Sequence, residues 1–359
     1  MKVIHKNSFR SVRNVIEVRR ERAILDTINH PFIVQFFGVF QSEDKLYFLF
    51  DFLSGGELFH HTKNAPGHHF SEEACRFYLA EIACALEHLR QHRIIHRDIK
   101  GDNFVLDKDG HVVLTDFGFA KVLNERRKNK STCGTLAYIA PEVIAPTPMG
   151  YNYEVDWWSM GVVMFTMLTG FFPFLRPKPQ DTAKAIVRDS LRFPPKPALS
   201  KNAQDVCKQL LRKRPYERIS TLAMLKAHPF YEGFDWDALE SRRMAPPFSP
   251  DRTGSNTKYF SKKYTQSSDA TVNDALSGDD SGLDREKNVF SSFFWAQEAA
   301  GSVKDDSSDD DESSDSQSTD GFAKANSRSN HSGGSSDDGT STHDIDGQRR
   351  VAASKVRRN

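Results

Sequence analysis

Three short motifs carry the residues of this chain whose types and spacing could do chemistry. They are His96-Arg97-Asp98-Ile99-Lys100-Gly101-Asp102-Asn103, then Asp116-Phe117-Gly118, then Ala140-Pro141-Glu142. Either triplet alone is a weak signal. In this order and spacing the set matches what phosphoryl transfer demands. Asp98 can accept the proton of an attacking hydroxyl and orient its oxygen. Lys100 can reach a γ-phosphoryl group, where charge gathers in the transition state. Asn103 and Asp116 offer hard oxygen ligands to Mg²⁺, which would hold the triphosphate. Reading these polar residues as ordinary turn and surface groups accounts for each one singly, but not for the ordered set.

Such residues need elements to hold them. Ser71 can cap a helix, with Glu72 and Glu73 at its positive end. Ala74, Phe77, Tyr78, Ile82, Ala85, Leu86 and Leu89 then recur on one helical face. The first motif follows that helix. A hairpin comes next: Phe104–Asp107, a turn at Lys108-Asp109-Gly110, and His111–Thr115, which leads to Asp116. Upstream, Lys2–His5 reads as a short strand. Val15–Ile28 reads as a helix ended by Asn29-His30-Pro31. Ile33–Phe40 and Leu46–Leu53 read as strands. Met160–Leu175 is the longest apolar run. It falls short of the roughly 20 residues that cross a bilayer and reads as a buried helix.

With these motifs in place, the sequence resembles the eukaryotic protein kinases. It is most similar to the AGC group, the relatives of the cAMP-dependent, ribosomal-S6 and Akt-type kinases. The resemblance covers about residues 1–295. It rests on His30-Pro31-Phe32-Ile33-Val34, Gly55-Gly56-Glu57-Leu58-Phe59, Asp116-Phe117-Gly118-Phe119-Ala120-Lys121, Cys133-Gly134-Thr135, Asp156-Trp157-Trp158-Ser159-Met160-Gly161 and His228-Pro229-Phe230. It implies an α+β, two-lobed protein-kinase-like fold, with an incomplete β-rich small lobe and a mainly helical large lobe. The implied domains are residues 1–53 (partial small lobe), 54–231 (large catalytic lobe) and 232–298 (AGC-type C-terminal extension). A disordered acidic, Ser-rich tail with a basic end would fill 299–359.

The resemblance also assigns roles. Lys2 would meet the α- and β-phosphates of ATP, held by Glu21. Phe50 stands at the gatekeeper position, and the backbone of Asp51 and Leu53 would meet adenine. Glu57 would bind a basic side chain three positions before the acceptor, and Thr135 would contact the catalytic loop. Thr166 replaces a glutamate of the cAMP-dependent kinase, so a weaker preference two positions before the acceptor is expected. Phe119 implies serine over threonine. Ser131 would be the activating phosphosite, a substrate of a phosphoinositide-dependent type of kinase. Arg97 and Lys121 would receive its phosphate, while Glu17, in place of a histidine, would weaken coupling to the small lobe. Glu142 with Arg218, and Asp156, are structural: a buried ion pair and an anchor for the catalytic loop.

The expected function is a serine/threonine protein kinase acting on basophilic substrates with ATP and Mg²⁺. The alternative is a non-catalytic regulatory or scaffold fragment. No G-x-G-x-x-G precedes Lys2, so poor ATP binding by this chain is expected, and its start is read as falling inside a longer protein. In the extension, Phe290-Ser291-Ser292-Phe293-Phe294-Trp295 is similar to the group's hydrophobic motif, with Phe294 where a phosphoacceptor would stand. A formal charge of +1 over 359 residues gives no global field for nucleic acid or membrane. Cys75, Cys84, Cys133 and Cys207 form no C-x-x-C pair and read as reduced thiols. No secretory signal or membrane span is read, and a monomer in the cytoplasm is expected. The basic end is a weak nuclear-entry signal.

Overall fold

The computed structural model describes residues 1–9, 11–123, 129–131, 133–146, 148, 150–251 and 259–260. The small lobe holds β1 (Lys2–His5), α1 (Val12–Thr27), β2 (Phe36–Gln41) and β3 (Lys45–Phe50). The strands form an antiparallel sheet in the order β1-β3-β2, with Lys2 opposite Phe48. Helix α1 starts earlier than its apolar spacing predicts and ends at the expected Asn29-His30-Pro31.

Strand β2 begins later than Ile33, for a physical reason. The main chain of Phe32–Val34 is committed to Leu114 in the other lobe: Leu114 N donates to Phe32 O (2.9 Å) and Val34 N to Leu114 O (3.0 Å). Strand β3 ends at Phe50, and one further ladder bond, Asp51 N to Gln35 O (3.0 Å), carries its pairing with the residue before β2.

The large lobe begins with β4 (Gly56–Glu57), α2 (Leu58–Asn64), α3 (Glu72–Gln91) and β5 (Ile94–Ile95). Next come β6 (Phe104–Leu106), β7 (Val112–Leu114), β8 (Lys121–Val122) and α4 (Pro141–Ile144). The remaining helices are α5 (Glu154–Thr169), α6 (Pro179–Arg188), α7 (Lys201–Leu210), α8 (Leu222–Lys226) and α9 (Trp236–Glu240). Ser71 caps α3 as expected, accepting from Ala74 N. The hairpin strands are shorter than read, since the Asp107 carboxylate takes the N–H groups of Asp109, Gly110 and His111 at 2.9–3.0 Å.

Helix α5 is apolar on all sides and buried from Val155 to Thr169. That is the signature of a helix at the centre of a core. Gly170 ends it with φ 77°, a left-handed conformation that suits glycine. The helix therefore spans Glu154–Thr169, and the apolar run from Phe171 to Leu175 lies beyond it. Among the described residues no helix is long and apolar enough to cross a membrane.

One local device occurs twice. In His30-Pro31-Phe32 the histidine Nδ1 accepts from Phe32 N (3.2 Å), and in His228-Pro229-Phe230 Nδ1 accepts from Phe230 N (3.1 Å). The ring caps a turn whose proline has no N–H to offer. Part of the C-terminal extension is described and packs on the large lobe, where Arg242 pairs with Asp107. The aromatic motif at 290–295 and the tail at 299–359 lie outside the described residues.

Candidate active site

The loop between β5 and β6 carries Asp98, and three partners fix its carboxylate. Thr135 N and Thr135 Oγ1 each donate to Oδ1 at 3.1 Å. Lys100 Nζ donates to Oδ2 at 2.6 Å. Asn103 Nδ2 donates to the Asp98 carbonyl at 2.9 Å and to Oδ2 at 3.3 Å. Asp98 is thus buried yet fully partnered.

The loop itself hangs from α5. Asp156, in the first turn of that helix, accepts from His96 N (2.7 Å) and Arg97 N (2.8 Å). Burial pushes the Asp156 carboxyl up to about 6, against the pull of these two N–H donors. Those bonds stabilise a left-handed Arg97 (φ 68°), a conformation that costs a non-glycine residue about 1 kcal/mol or more. His96 is buried, and desolvation lowers its pKa to about 4. Its ring is neutral: Asp98 N donates to Nδ1 (3.4 Å), leaving Nε2–H to face Thr115 O (3.3 Å). Phe117 packs edge-on against it, with centroids 4.9 Å apart.

The small lobe contributes a chain of charges. Lys2 Nζ on β1 meets Glu21 on α1 at 2.7 and 3.0 Å, and Asp116 Oδ1 at 3.6 Å. Burial raises the Glu21 carboxyl, and the Lys2 ammonium opposes that shift. Asp116 is left-handed (φ 59°) and turns its carboxylate toward Gly118 N (3.4 Å). At the junction of the lobes, Asp51 gives its N–H to Gln35, so its carbonyl is the group it has left to offer a base. Leu53 packs partly buried against the core.

The donor set fits the implied metal. Asn103 commits its NH₂ to Asp98, which leaves its amide oxygen for a cation, and Asp116 supplies carboxylate oxygen. Among the described residues no cluster of three or more His, Cys, Asp or Glu could hold a metal by itself. Two oxygen donors of this kind suit Mg²⁺ completed by phosphate oxygens and water.

Around this centre the other expected residues fall as follows. Glu142 and Arg218 form a bidentate buried pair at 2.8 and 3.0 Å. Arg97 Nη1 donates to Ser131 Oγ at 3.1 Å. Lys121 stands on β8 opposite Ile95, two residues before Arg97. Glu17 pairs with Arg13 along α1 (3.1 Å). Glu57 is half-buried; burial raises its pKa first, and the neighbouring Asp102 carboxylate adds to the rise. Asp102 was missed from the sequence, although it sits inside the first motif beside Asn103. Tyr151, which no local pattern marks, donates its hydroxyl to Ser131 O at 2.7 Å.

A two-lobed α+β body with an aspartate-centred loop and a lysine–glutamate–aspartate chain defines the protein kinase class. Residues 1–231 match the family model described as "Protein kinase domain". The chain is 41% identical to ribosomal protein S6 kinase 2 alpha of Gallus gallus over 272 residues, covering 74% of this chain and 35% of that protein. It is 40% identical to a RAC family serine/threonine-protein kinase homolog of Dictyostelium discoideum, over 71% of this chain and 56% of that one. Human ribosomal protein S6 kinase alpha-1 is 40% identical, over 74% and 36%. The chain therefore belongs to the protein kinase family, among the AGC-group serine/threonine kinases. It spans between a third and somewhat over half the length of these relatives.

Proposed function

We propose that this chain is the catalytic module of a kinase that moves the γ-phosphoryl group of ATP to serine hydroxyls in basic protein segments. The observation that carries the reading is the Asp98 carboxylate, pinned by Thr135, Lys100 and Asn103, together with the Lys2–Glu21–Asp116 chain. In the reaction the substrate oxygen bonds to the γ-phosphorus while the bond from that phosphorus to the β–γ bridging oxygen breaks. ADP leaves with that electron pair, and the hydroxyl proton passes to Asp98. Lys100, already on Asp98 Oδ2, neutralises charge gathering on the transferred group. Lys2, held by Glu21, places the α- and β-phosphates. Asn103 and Asp116 would hold Mg²⁺, which screens the phosphate charge when bound.

Glu57 and Asp102 support a preference for basic substrates. The Asp102 carboxylate adds to the cost of the half-buried Glu57 charge, and an arginine beside Glu57 would offset it. Thr166 accords with a weaker demand two positions before the acceptor: its hydroxyl is spent on Val162 O (2.9 Å). Ser131, facing Arg97, is proposed as the activating phosphosite for an upstream kinase of the phosphoinositide-dependent type. A monomer acting in the cytoplasm or nucleus completes the reading. No observation favours the non-catalytic alternative.

The test is single-turnover transfer to a peptide with arginine three positions before serine. Asp98→Asn should slow the chemical step by about 10²–10⁴. Near-normal transfer by that variant removes Asp98 from the mechanism. A positional library that returns acidic or proline-directed peptides would overturn the substrate class.

A further inference from the structure

Tyr151 lies between α4 and α5 and is 5% exposed. Its hydroxyl donates to Ser131 O at 2.7 Å and stands 3.4 Å from Ser131 Oγ. Its main chain joins the same stretch: Tyr151 N donates to Asn129 O (3.0 Å), and Asn129 Nδ2 donates to Tyr151 O (3.4 Å). Asn129 is itself buried, at 4% exposure. A buried anchor thus holds residues 129–131 from one side.

From the other side Arg97 reaches Ser131 Oγ, and its Nε donates to Phe119 O (2.7 Å). Four residues after Ser131, Thr135 grips Asp98. That interval spans at most about 14 Å of extended chain, so fixing Ser131 restricts where Thr135 can sit. Gly134, between them, passes so close to the catalytic loop that a Cβ would lie 2.6 Å from Arg97 O. Arg97, Asp98, Cys133, Thr135 and Tyr151 line one cleft.

We propose that Tyr151 is a positioning residue for the activation segment: its hydroxyl fixes the Ser131 backbone so that the Ser131 side chain meets Arg97 and Thr135 stays on Asp98. This rests on the reading of the chain as a kinase with its phosphosite at Ser131. Ser131 is exposed, so an upstream kinase can reach it while the tyrosine holds it from below. Before phosphorylation the Tyr151 bond and the Arg97 contact jointly hold the segment. Afterwards the guanidinium meets a charge-assisted acceptor and carries more of the load. The tyrosine therefore matters most in the unphosphorylated chain.

Tyr151→Phe removes one donor and keeps the ring. On the unphosphorylated chain, with Ser131 kept, it should lower kcat for peptide about two- to tenfold, the worth of one hydrogen bond, with KM for ATP unchanged. On the phosphorylated chain the loss should be smaller. Hydrogen exchange, which needs no activity, should speed up at the amides of 129–135 while the thermal midpoint holds. Unchanged exchange and unchanged kcat in both forms overturn the proposal. So does faster exchange spread evenly over the chain with a lowered midpoint, since that marks a residue of general stability. If phosphorylation itself leaves activity unchanged while Tyr151→Phe still loosens 129–135, the phosphosite reading fails and the positioning role stands.

Discussion

Removing the Glu142 charge should cost more stability than any exposed ion pair in this chain. Arg218 is 1% exposed and Glu142 6%. The guanidinium gives two bonds to the carboxylate, and others to Glu154 O (2.6 Å) and Arg212 O (3.2 Å), with Trp158 under it at 5.3 Å. In Glu142→Gln the arginine stays buried and charged without a counter-ion. Breaking one side of such a pair costs about 3–5 kcal/mol. At about 2–4 °C per kcal/mol for a domain of this size, the midpoint should drop by about 6–20 °C. Arg218→Met should cost at least as much. It strands the carboxylate and also two carbonyls, each worth about 1–3 kcal/mol if left dry. Glu142→Leu combined with Arg218→Met should be less harmful than the sum of its singles by about 2–3 kcal/mol, because neither charge is then orphaned. Urea unfolding followed by tryptophan fluorescence reads all of these, since Trp158 lies against the pair. A Glu142→Gln shift under about 2 °C, or singles that add within about 0.5 kcal/mol, would refute the reasoning.

Acid should weaken the fold in part through His30. Burial, with His88 alongside, lowers its pKa from 6.5 to about 4, so the unfolded chain takes a proton that the folded one refuses. Its contribution is complete above pH 6.5 and is lost as pH falls toward 4; His30→Asn should flatten the dependence over that window by about 1.4 kcal/mol per pH unit. Asp156 acts in the opposite sense between 3.8 and about 6, because its folded form keeps a proton that the unfolded form releases. Comparing the His30 variant with its parent cancels that opposing contribution, and equal slopes in urea titrations would refute the claim. Glu21→Gln loses the partner that aims Lys2 and should raise KM for ATP about tenfold or more, with peptide KM unchanged. An unaltered ATP dependence would exclude that role. Glu57→Gln and Asp102→Asn should each raise KM for arginine-bearing peptides and leave ATP alone, read in initial-rate assays at two salt concentrations. If either variant altered ATP and peptide equally, the subsite assignment would fall.

The centre was legible because its chemistry sits in adjacent residues. Asp98, Lys100 and Asn103 share one loop, and their types alone fix what they can do. Lys2 with Glu21 and Glu142 with Arg218 were legible only through the family resemblance, since nothing local joins residues so far apart. Element edges were less legible. Phe32–Val34 has strand composition, yet the Phe32 carbonyl and the Val34 N–H bond to Leu114, a partner about eighty positions away that no window sees. The left-handed Arg97 and Asp116 carry no glycine to announce them; Arg97 N donating to Asp156 and Gly118 N donating to Asp116 hold them. Tyr151 escaped because its part depends on a hydroxyl direction. A lone tyrosine before an apolar helix reads as core.

The two N–H bonds that Asp156 takes from His96 and Arg97 tie the catalytic loop to α5, which is buried from Val155 to Thr169. A loop attached at such a point cannot open by itself; it loosens only when α5 does. The amides of His96 and Arg97 should then exchange with solvent as slowly as those of the α5 interior. Heat inactivation should coincide with global melting instead of preceding it. In this chain, residual activity is therefore a gauge of how much of the large lobe is still folded.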